Sequence, residues 1–344
     1  MKRILIVGYG SIGARHLRVS RALFPEAKIM VLRHKITNAI PEFSDGCFFN
    51  LEDALNFEPE IAVIANPATF HLEIAQALAE NGAHLLIEKP LSSSVEGTSR
   101  LIDLCRENKK ILAVGYNLRF MPSLQKLRQF ILEGKIGNPI SFRSEVGQFL
   151  PTWRPESDYT KSVSARSELG GGVLLELSHE FDYLRWIFGE IEWVRATLSQ
   201  QSDLNIDVED TAHLTLGIEG KDESTRQLIG TLNMDFIRRD PIRVCSIIGD
   251  KGTLHWNGLE GEVSFFENTA ISWEVIFSHS PSKDETYVAE WRDFINSIAS
   301  GVSPASTGED GANVLRVIEA ARKSAETGIQ VPVSRSHYTN ELTK

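Results

Sequence analysis

Ile4-Leu5-Ile6-Val7-Gly8-Tyr9-Gly10-Ser11-Ile12-Gly13 is the stretch on which the fold turns. Four consecutive apolar residues mark a strand buried on both faces. The glycines then fall as G-x-G-x-x-G, and residues 11–24 continue with the apolar spacing of a helix. The glycine pattern alone is a weak signal. Directly after a buried strand and directly before a helix it becomes a dinucleotide fingerprint. Gly8 permits the tight turn, Gly10 lets the backbone approach a pyrophosphate, and Gly13 lets the helix lie close on the strand. Ser11 and Ile12 open the helix, where unpaired N–H groups and the positive end of the helix dipole favour an anion. Gly8, Gly10, Ser11, Ile12 and Gly13 are therefore the expected phosphate-binding residues.

Outward from this loop, short apolar runs at 28–32, 61–65, 84–87 and 111–114 alternate with helical patterns at 72–81 and 94–108. Strands alternating with helices predict βαβ units and a parallel Rossmann sheet over residues 1–120. About 20 residues past such a fingerprint a carboxylate ordinarily holds the ribose of NAD, whereas an Arg accommodates the 2′-phosphate of NADP. The second strand here ends Met30-Val31-Leu32-Arg33-His34-Lys35 and offers no carboxylate. Arg33, with two potentially cationic neighbours, predicts NADP over NAD; stacking on adenine and a solvated surface charge are its alternatives.

Beyond residue 120 the pattern changes. Leu124, Leu127 and Ile131 mark a helix that Gly134 ends. Residues 211–218 and 228–236 alternate apolar and polar, the sign of strands with one buried face, and further strands are expected at 242–248, 252–256, 262–266 and 272–277. Helical patterns close the chain at 288–300 and 309–326. The expected fold class is α/β: a Rossmann domain at 1–120 and an α+β domain with an open, mostly antiparallel sheet at 121–335. A cleft between two such domains is a usual ligand site.

Composition narrows the functional classes. The chain has 344 residues, 42% of them hydrophobic and 24% charged, with a net charge of −10. That balance argues against a general nucleic-acid or anionic-membrane surface. Cys47, Cys105 and Cys245 lie far apart with no CxxC spacing, which reads as free thiols in a reducing compartment. No signal-type or 18-residue apolar segment is visible, so a cytoplasmic protein is expected.

The fourth strand runs into Glu88-Lys89-Pro90. A charged pair at the carboxyl end of a buried parallel strand lies where open α/β sheets bind ligands, so Glu88 and Lys89 are cofactor-site candidates. A partly desolvated Lys can lower its pKa and take part in proton transfer; a surface salt bridge is the equal alternative on position alone.

Several motifs in order, GYGSIG (8–13), NPATFH (66–71), EKPLS (88–92), GYNLRF (115–120) and GGGVLLELSHEFDYLRWIFG (170–189), span nearly the whole chain. EDTAHL (209–214) and GDKGTL (249–254) add weaker support. In this ordered set the chain resembles the glucose–fructose oxidoreductase, inositol dehydrogenase and rhizopine catabolism family. The resemblance implies a Rossmann domain followed by an α+β domain with an open sheet, often used for oligomer contacts, so a homodimer or homotetramer is expected. It implies that Lys89 contacts both the nicotinamide end of the cofactor and the substrate, and that Asn66 and His71 lie along the cofactor site. It implies catalysis by His179, with Asp182 three positions on.

The residues of the 170–188 segment can also be read directly. On one helix Glu176, His179, Glu180 and Tyr183 follow i, i+3, i+4, i+7 and share a face. A His beside carboxylates after three glycines suits an acid–base site, since a neighbouring carboxylate raises the His pKa and fixes its ring. The chain departs from the commoner family form, which has an Asp four residues before the His; Leu175 stands there, and the nearest carboxylate is Glu176. Glu176 or Asp182 would then orient His179. A metal held by Glu176 and His179 is rejected, because no second such motif appears.

The chemistry expected is hydride transfer between nicotinamide and a carbinol or keto carbon of a sugar, nucleotide sugar or cyclitol, with Lys89 and His179 sharing proton transfer. Substrate contacts are expected from Tyr116, Asn117 and Arg119, from Trp153, Arg154 and Arg166, and from Asp182. The arginines fit an anionic substrate, with a solvated loop as the alternative. Two other readings stand beside this one: a non-catalytic NADP-binding regulator of the same fold, and dehydration or glycoside cleavage through transient oxidation.

Overall fold

A computed structural model describes residues 2–34, 36, 39–219, 227–280 and 282–334. In chain order the first part runs β1 (Arg3–Val7), α1 (Ser11–Leu23), β2 (Lys28–Leu32), β3 (Gly46–Phe48), α2 (Leu51–Asn56), β4 (Ile61–Ile64), α3 (His71–Glu80), β5 (His84–Glu88), α4 (Thr98–Glu107) and β6 (Leu112–Gly115). Then come α5 (Pro122–Leu132), β7 (Pro139–Gly147), α6 (Leu150–Trp153), α7 (Val173–Glu176), α8 (His179–Phe188), β8 (Ile191–Ser199), β9 (Thr211–Ile218) and β10 (Leu228–Asp235). The last part is β11 (Ile242–Gly249), β12 (Gly252–Asn257), β13 (Glu262–Glu267), β14 (Glu274–Ser278), α9 (Glu285–Ser300), α10 (Gly308–Thr327) and β15 (Val331–Pro332).

Six strands form a parallel sheet in the order β3-β2-β1-β4-β5-β6. The order reverses beside β1, which is the topological switch point of a doubly wound sheet. Ile4, Leu5 and Ile6 of β1 and Leu85, Leu86 and Ile87 of β5 are completely buried. Each such side chain contributes about 1.5–3 kcal/mol on leaving water, which is why unbroken apolar runs, with no alternation, specify these central strands. The three-residue β3 escapes sequence reading because it is short and only half-buried. The helix expected from residue 94 begins at Thr98, since Gly97 precedes it in the left-handed region at φ +78°.

Nine strands form the second sheet, β14-β13-β12-β11-β7-β10-β9-β8-β15. All its pairings are antiparallel except β7 with β10. The expected α/β class, with a parallel Rossmann sheet and a mostly antiparallel second sheet, is the fold observed. Two of its members, β7 and β8, carry alternating burial that the sequence reading left unassigned.

The chain divides into two compact units: Met1–Phe120 with Ser282–Leu315, and Met121–Pro281 with Arg316–Lys344. Residues 282–315, which fall within the expected second domain at 121–335, pack in the first of these units. The cause is packing: Trp291 and Phe294 of α9 are fully buried in one cluster with Ile4, Ile6, Leu17, Val31 and Val63. Among the described residues no helix is long and apolar enough to cross a membrane.

Candidate functional site

In the first unit the glycine loop is shaped by contacts that exclude side chains. Gly8 has φ +90°, and a Cβ there would lie 2.9 Å from the backbone of Ala65 and Asn66. A Cβ on Gly13 would lie 2.2 Å from the carbonyl oxygen of Gly8. Gly10 differs: it is exposed, and a Cβ would meet nothing within 4 Å. The helix it caps has no side-chain cap and no acidic residue in its first turn. Gly8 and Gly13 are thus required by the protein itself, whereas the space at Gly10 and the uncapped N–H groups of Ser11 and Ile12 fit a pyrophosphate. Arg33, at the end of β2, donates its backbone N–H to Phe48 at 3.0 Å and places its guanidinium 5.1 Å from the ring centre of Tyr9 in the loop. Lys35, which the sequence reading counted among its cationic neighbours, lies outside the described residues.

The strands that follow in the sheet bring further expected residues to the same edge. Asn66 comes just after β4, and its Oδ1 is buried with no partner among the described residues. A buried acceptor of this kind calls for a partner that a bound cofactor can supply. Lys89 follows β5 and is half-buried, and its bond to Pro90 is cis. Glu88 is turned inward: it is 7% exposed, its Oε1 lies 2.6 Å from His16 Nε2, and its Oε2 accepts from the Lys89 N–H at 3.1 Å. It packs on Gly115, where a Cβ would come within 3.1 Å of its carboxyl carbon. Glu88 is accordingly a support for the turn and not a surface offered to cofactor.

His71, expected along the cofactor site, is 1% exposed and spans two loops, with Nε2 2.8 Å from the Asn66 carbonyl and Nδ1 3.1 Å from that of Pro90. Burial holds its pKa below the ordinary value, against the opposing pull of those carbonyls and Glu88. Its ring is buried between the Asn66 loop and the Lys89–Pro90 turn, where a neutral imidazole donates to one of the two carbonyls, and it does not face ligand.

Three expected substrate contacts are corrected by burial. Tyr116 is fully buried, and Asn117 donates to Thr286 Oγ1 at 2.9 Å. Arg119 is 4% exposed; it donates to the Ala305 carbonyl at 2.5 Å and pairs with Asp310 at 3.1 Å. Its fork is spent on joining the returning segment to the first unit.

In the second unit the helix expected through 188 is interrupted. It ends at Glu176 and restarts at His179, so Leu177 and Ser178 reset the phase. The shared face of Glu176, His179, Glu180 and Tyr183 does not form. Glu180 and Tyr183 are fully buried instead. Arg243 Nε donates to Glu180 at 3.0 Å, and Tyr183 shares a 2.6 Å hydrogen bond with Ser144. Burial pushes the Glu180 carboxyl above its ordinary range, against the attraction of Arg243. Asp182 has no exposed surface, which removes it as a substrate contact.

Glu176 and His179 remain half-buried. The Ser164 hydroxyl donates to Glu176 at 3.0 Å, and Ser164 also lines a shallow pocket with Trp153, Arg154 and Tyr159. Trp153 is held edge-on against Phe236 at 5.2 Å, leaving Arg154 exposed. Arg166 turns its Nε to the Thr160 carbonyl at 2.6 Å and lies outside that wall.

Two supporting groups were missed in the sequence. Glu209 accepts from the Leu174 N–H at 3.2 Å and packs on Gly172, where a Cβ would lie 2.4 Å from its carboxylate. Burial raises its pKa. His16 and Glu290 lie under Glu88. Glu209 stands in a motif and His16 just after one, whereas Glu290 shows in the sequence only as a polar position of the 288–300 helical pattern.

A strand–glycine loop–helix at the switch point of a six-stranded parallel sheet is the architecture of a dinucleotide-binding Rossmann domain. Residues 2–116 match the model of an oxidoreductase family with an NAD-binding Rossmann fold, and residues 128–333 match the C-terminal alpha/beta domain of the same family. The chain belongs to this oxidoreductase family. It is 25% identical to the myo-inositol 2-dehydrogenase of Thermotoga maritima, over 94% of this chain and 96% of the relative. The fold is similar to that of a levoglucosan dehydrogenase in complex with NADH and levoglucosan (TM-score 0.84, 22% identity, 97% of this chain and 100% of the other). It is also similar to the WlbA dehydrogenase from Bordetella pertussis in complex with NADH and UDP-GlcNAcA (TM-score 0.78, 22% identity, 97% and 99%).

Proposed function

We propose that this chain transfers hydride between a nicotinamide cofactor, NADP in preference to NAD, and the carbinol or keto carbon of a sugar, nucleotide sugar or cyclitol. The observation that carries the reading is the order of β1, β4 and β5 as neighbours in one parallel sheet, so that the glycine loop, Asn66 and Lys89 share its carboxyl edge. Gly10, Ser11 and Ile12 would hold the pyrophosphate, Asn66 would complete the site, and Arg33 would meet a 2′-phosphate.

The bound nicotinamide supplies the hydride acceptor or donor. The protein's part is proton transfer at the substrate oxygen, assigned to Lys89 and His179, with Glu176, three residues before the His, as the half-buried carboxylate that would orient it. The names of the relatives, an inositol and a levoglucosan dehydrogenase, support a polyhydroxylated ring. Exposed Arg154 and the relative bound to UDP-GlcNAcA keep nucleotide sugars in the screen. A homodimer or homotetramer is part of the proposal.

The test is a fluorescence titration of the native protein with NADPH and NADH, followed by kcat/KM with each. NADPH is expected to bind at least about tenfold more tightly, about 1.4 kcal/mol, and Arg33→Glu to abolish that margin. Equal efficiency with both nucleotides overturns the NADP preference. Binding of neither overturns the dehydrogenase reading.

A further inference from the structure

A buried polar cluster lies under the Glu88–Lys89 turn, unused by the chemistry proposed above. His16, Glu88 and Glu290 bring their ligand-type atoms within 4.8 Å of one another. Such a trio invites a metal, and the hydrogen bonds around it argue otherwise. Trp291 Nε1 lies 3.0 Å from His16 Nδ1. An indole N–H can only donate, so Nδ1 must present its lone pair. The ring hydrogen then sits on Nε2, 2.6 Å from Glu88 Oε1, and the bond runs from His16 to Glu88. A metal on Nε2 would force the hydrogen onto Nδ1, against the Trp291 N–H. The tautomer is set by a neighbour, the usual way a ring nitrogen acquires its role.

Glu88 accepts at both oxygens, from His16 and from the Lys89 N–H, as an anion does. Glu290 is 3% exposed, and both its oxygens lack a hydrogen-bond partner among the described residues. Its charged neighbours are Glu88 from the β5 turn and Asp293 from its own helix. On α1 it meets His16, while Arg15 and Arg18 of that helix are drawn to Asp284. Tyr287 of α9 lies against the His16 ring, 5.7 Å between centres, and under the Arg15 guanidinium. Two buried carboxylates side by side with no cation between them cannot both ionise.

We propose that His16 and Glu290 are positioning residues for Lys89. His16, locked as the Nε2–H tautomer by Trp291, holds Glu88 as an anion. Glu290, as a neutral carboxylic acid, limits the cluster to one negative charge, and Glu88 in turn holds the backbone N–H of Lys89. The kinetic part of this inference rests on the role given to Lys89 above; the protonation part stands on the cluster alone.

The sign of the pH dependence follows. Burial first, then Glu88 and Asp293, push Glu290 well above its ordinary value of 4.5. Stability from the protonated acid is full below that value and declines as pH rises towards the folded-state value. Glu290→Gln, neutral at every pH, removes the decline.

The experiment compares the native protein with Glu290→Gln, His16→Leu and His16→Gln between pH 5 and 9. A protonated-carboxyl band is expected in the native infrared spectrum at pH 7 and lost in Glu290→Gln. The melting temperature of Glu290→Gln relative to native is expected to climb by about 3 °C or more across the range. Imidazole ¹⁵N shifts should report the Nε2–H tautomer of His16 in the neutral ring. With substrate, His16→Leu is expected to lose about tenfold in kcat with the nucleotide KM little changed, and to displace the pH profile. His16→Gln, whose amide can donate in place of Nε2, should restore most of both.

A missing carboxyl band with a parallel melting profile, or a neutral His16 carrying its hydrogen on Nδ1, overturns the inference. So does a His16→Leu loss that leaves the pH profile unmoved or that His16→Gln does not rescue. If the native protein uses neither nucleotide, the proposed function fails, while the infrared, melting and ¹⁵N measurements still decide who carries the proton.

Discussion

The carboxyl edge of the six-stranded sheet and the segment from Gly170 to Phe188 both carry motif residues, and they behave differently. At the sheet edge, position follows from topology: β1, β4 and β5 are adjacent and parallel, so whatever follows them lies on one side. In the 170–188 segment, position was inferred from helical phase. Two residues, Leu177 and Ser178, interrupt the helix and send Glu180 and Tyr183 into the core. Strand adjacency survives local irregularity, whereas a helical stripe does not survive a break of a single turn. The difference teaches that topology fixes which loops meet at a parallel edge, while the burial of Glu88, His71 and Arg119 shows that it does not fix which of their side chains face a ligand.

Lys89→Ala is the change expected to have the largest effect, lowering kcat by about a hundredfold or more if Lys89 moves the proton. A steady-state assay checks it. A loss under about tenfold would shift proton transfer to His179 and weaken the sheet edge as the catalytic side of the comparison.

Arg119→Ala comes next. It removes a buried pair with Asp310 and a bond to the Ala305 carbonyl. Unfolding in denaturant should show a loss of about 3 kcal/mol, with kcat/KM of the folded fraction little changed. A raised KM at unchanged stability would restore Arg119 to the substrate site, where the sequence reading had put it.

The glycine loop separates structural from ligand demands within six residues. Gly13→Ala drives a methyl to 2.2 Å from the Gly8 carbonyl oxygen and should cost about 1–3 kcal/mol in stability. Gly10→Ala meets no protein atom within 4 Å and should leave the melting temperature alone. Its effect should appear only as nucleotide binding weakened by about tenfold, about 1.4 kcal/mol. A Gly10→Ala protein that binds NADPH as well as native would remove the pyrophosphate from this loop.

Legibility tracked the range of the interaction. Strand β1 and its glycine loop are local, and periodicity with turn chemistry identified them. Strand β7 was missed although Phe142, Ser144 and Val146 are buried in alternation, because a buried serine interrupts the apolar signal. Trp291 reads as one apolar position of an amphipathic helix, and nothing local says that its indole meets His16, 275 residues away in sequence.

By itself, then, the sequence determined the parallel and antiparallel sheet types, the glycine loop between β1 and α1, the absence of a carboxylate at the end of β2, and Lys89 at a strand end. These follow from residue type and spacing over one or two elements. Only the tertiary structure decided that residues 282–315 belong with the Rossmann sheet and that Arg119 is a tie. It also decided that Glu88, His16 and Glu290 form one cluster. Those outcomes depend on which distant groups share a buried volume, where an unmatched charge or hydrogen bond is costly and each polar group is defined by its partner.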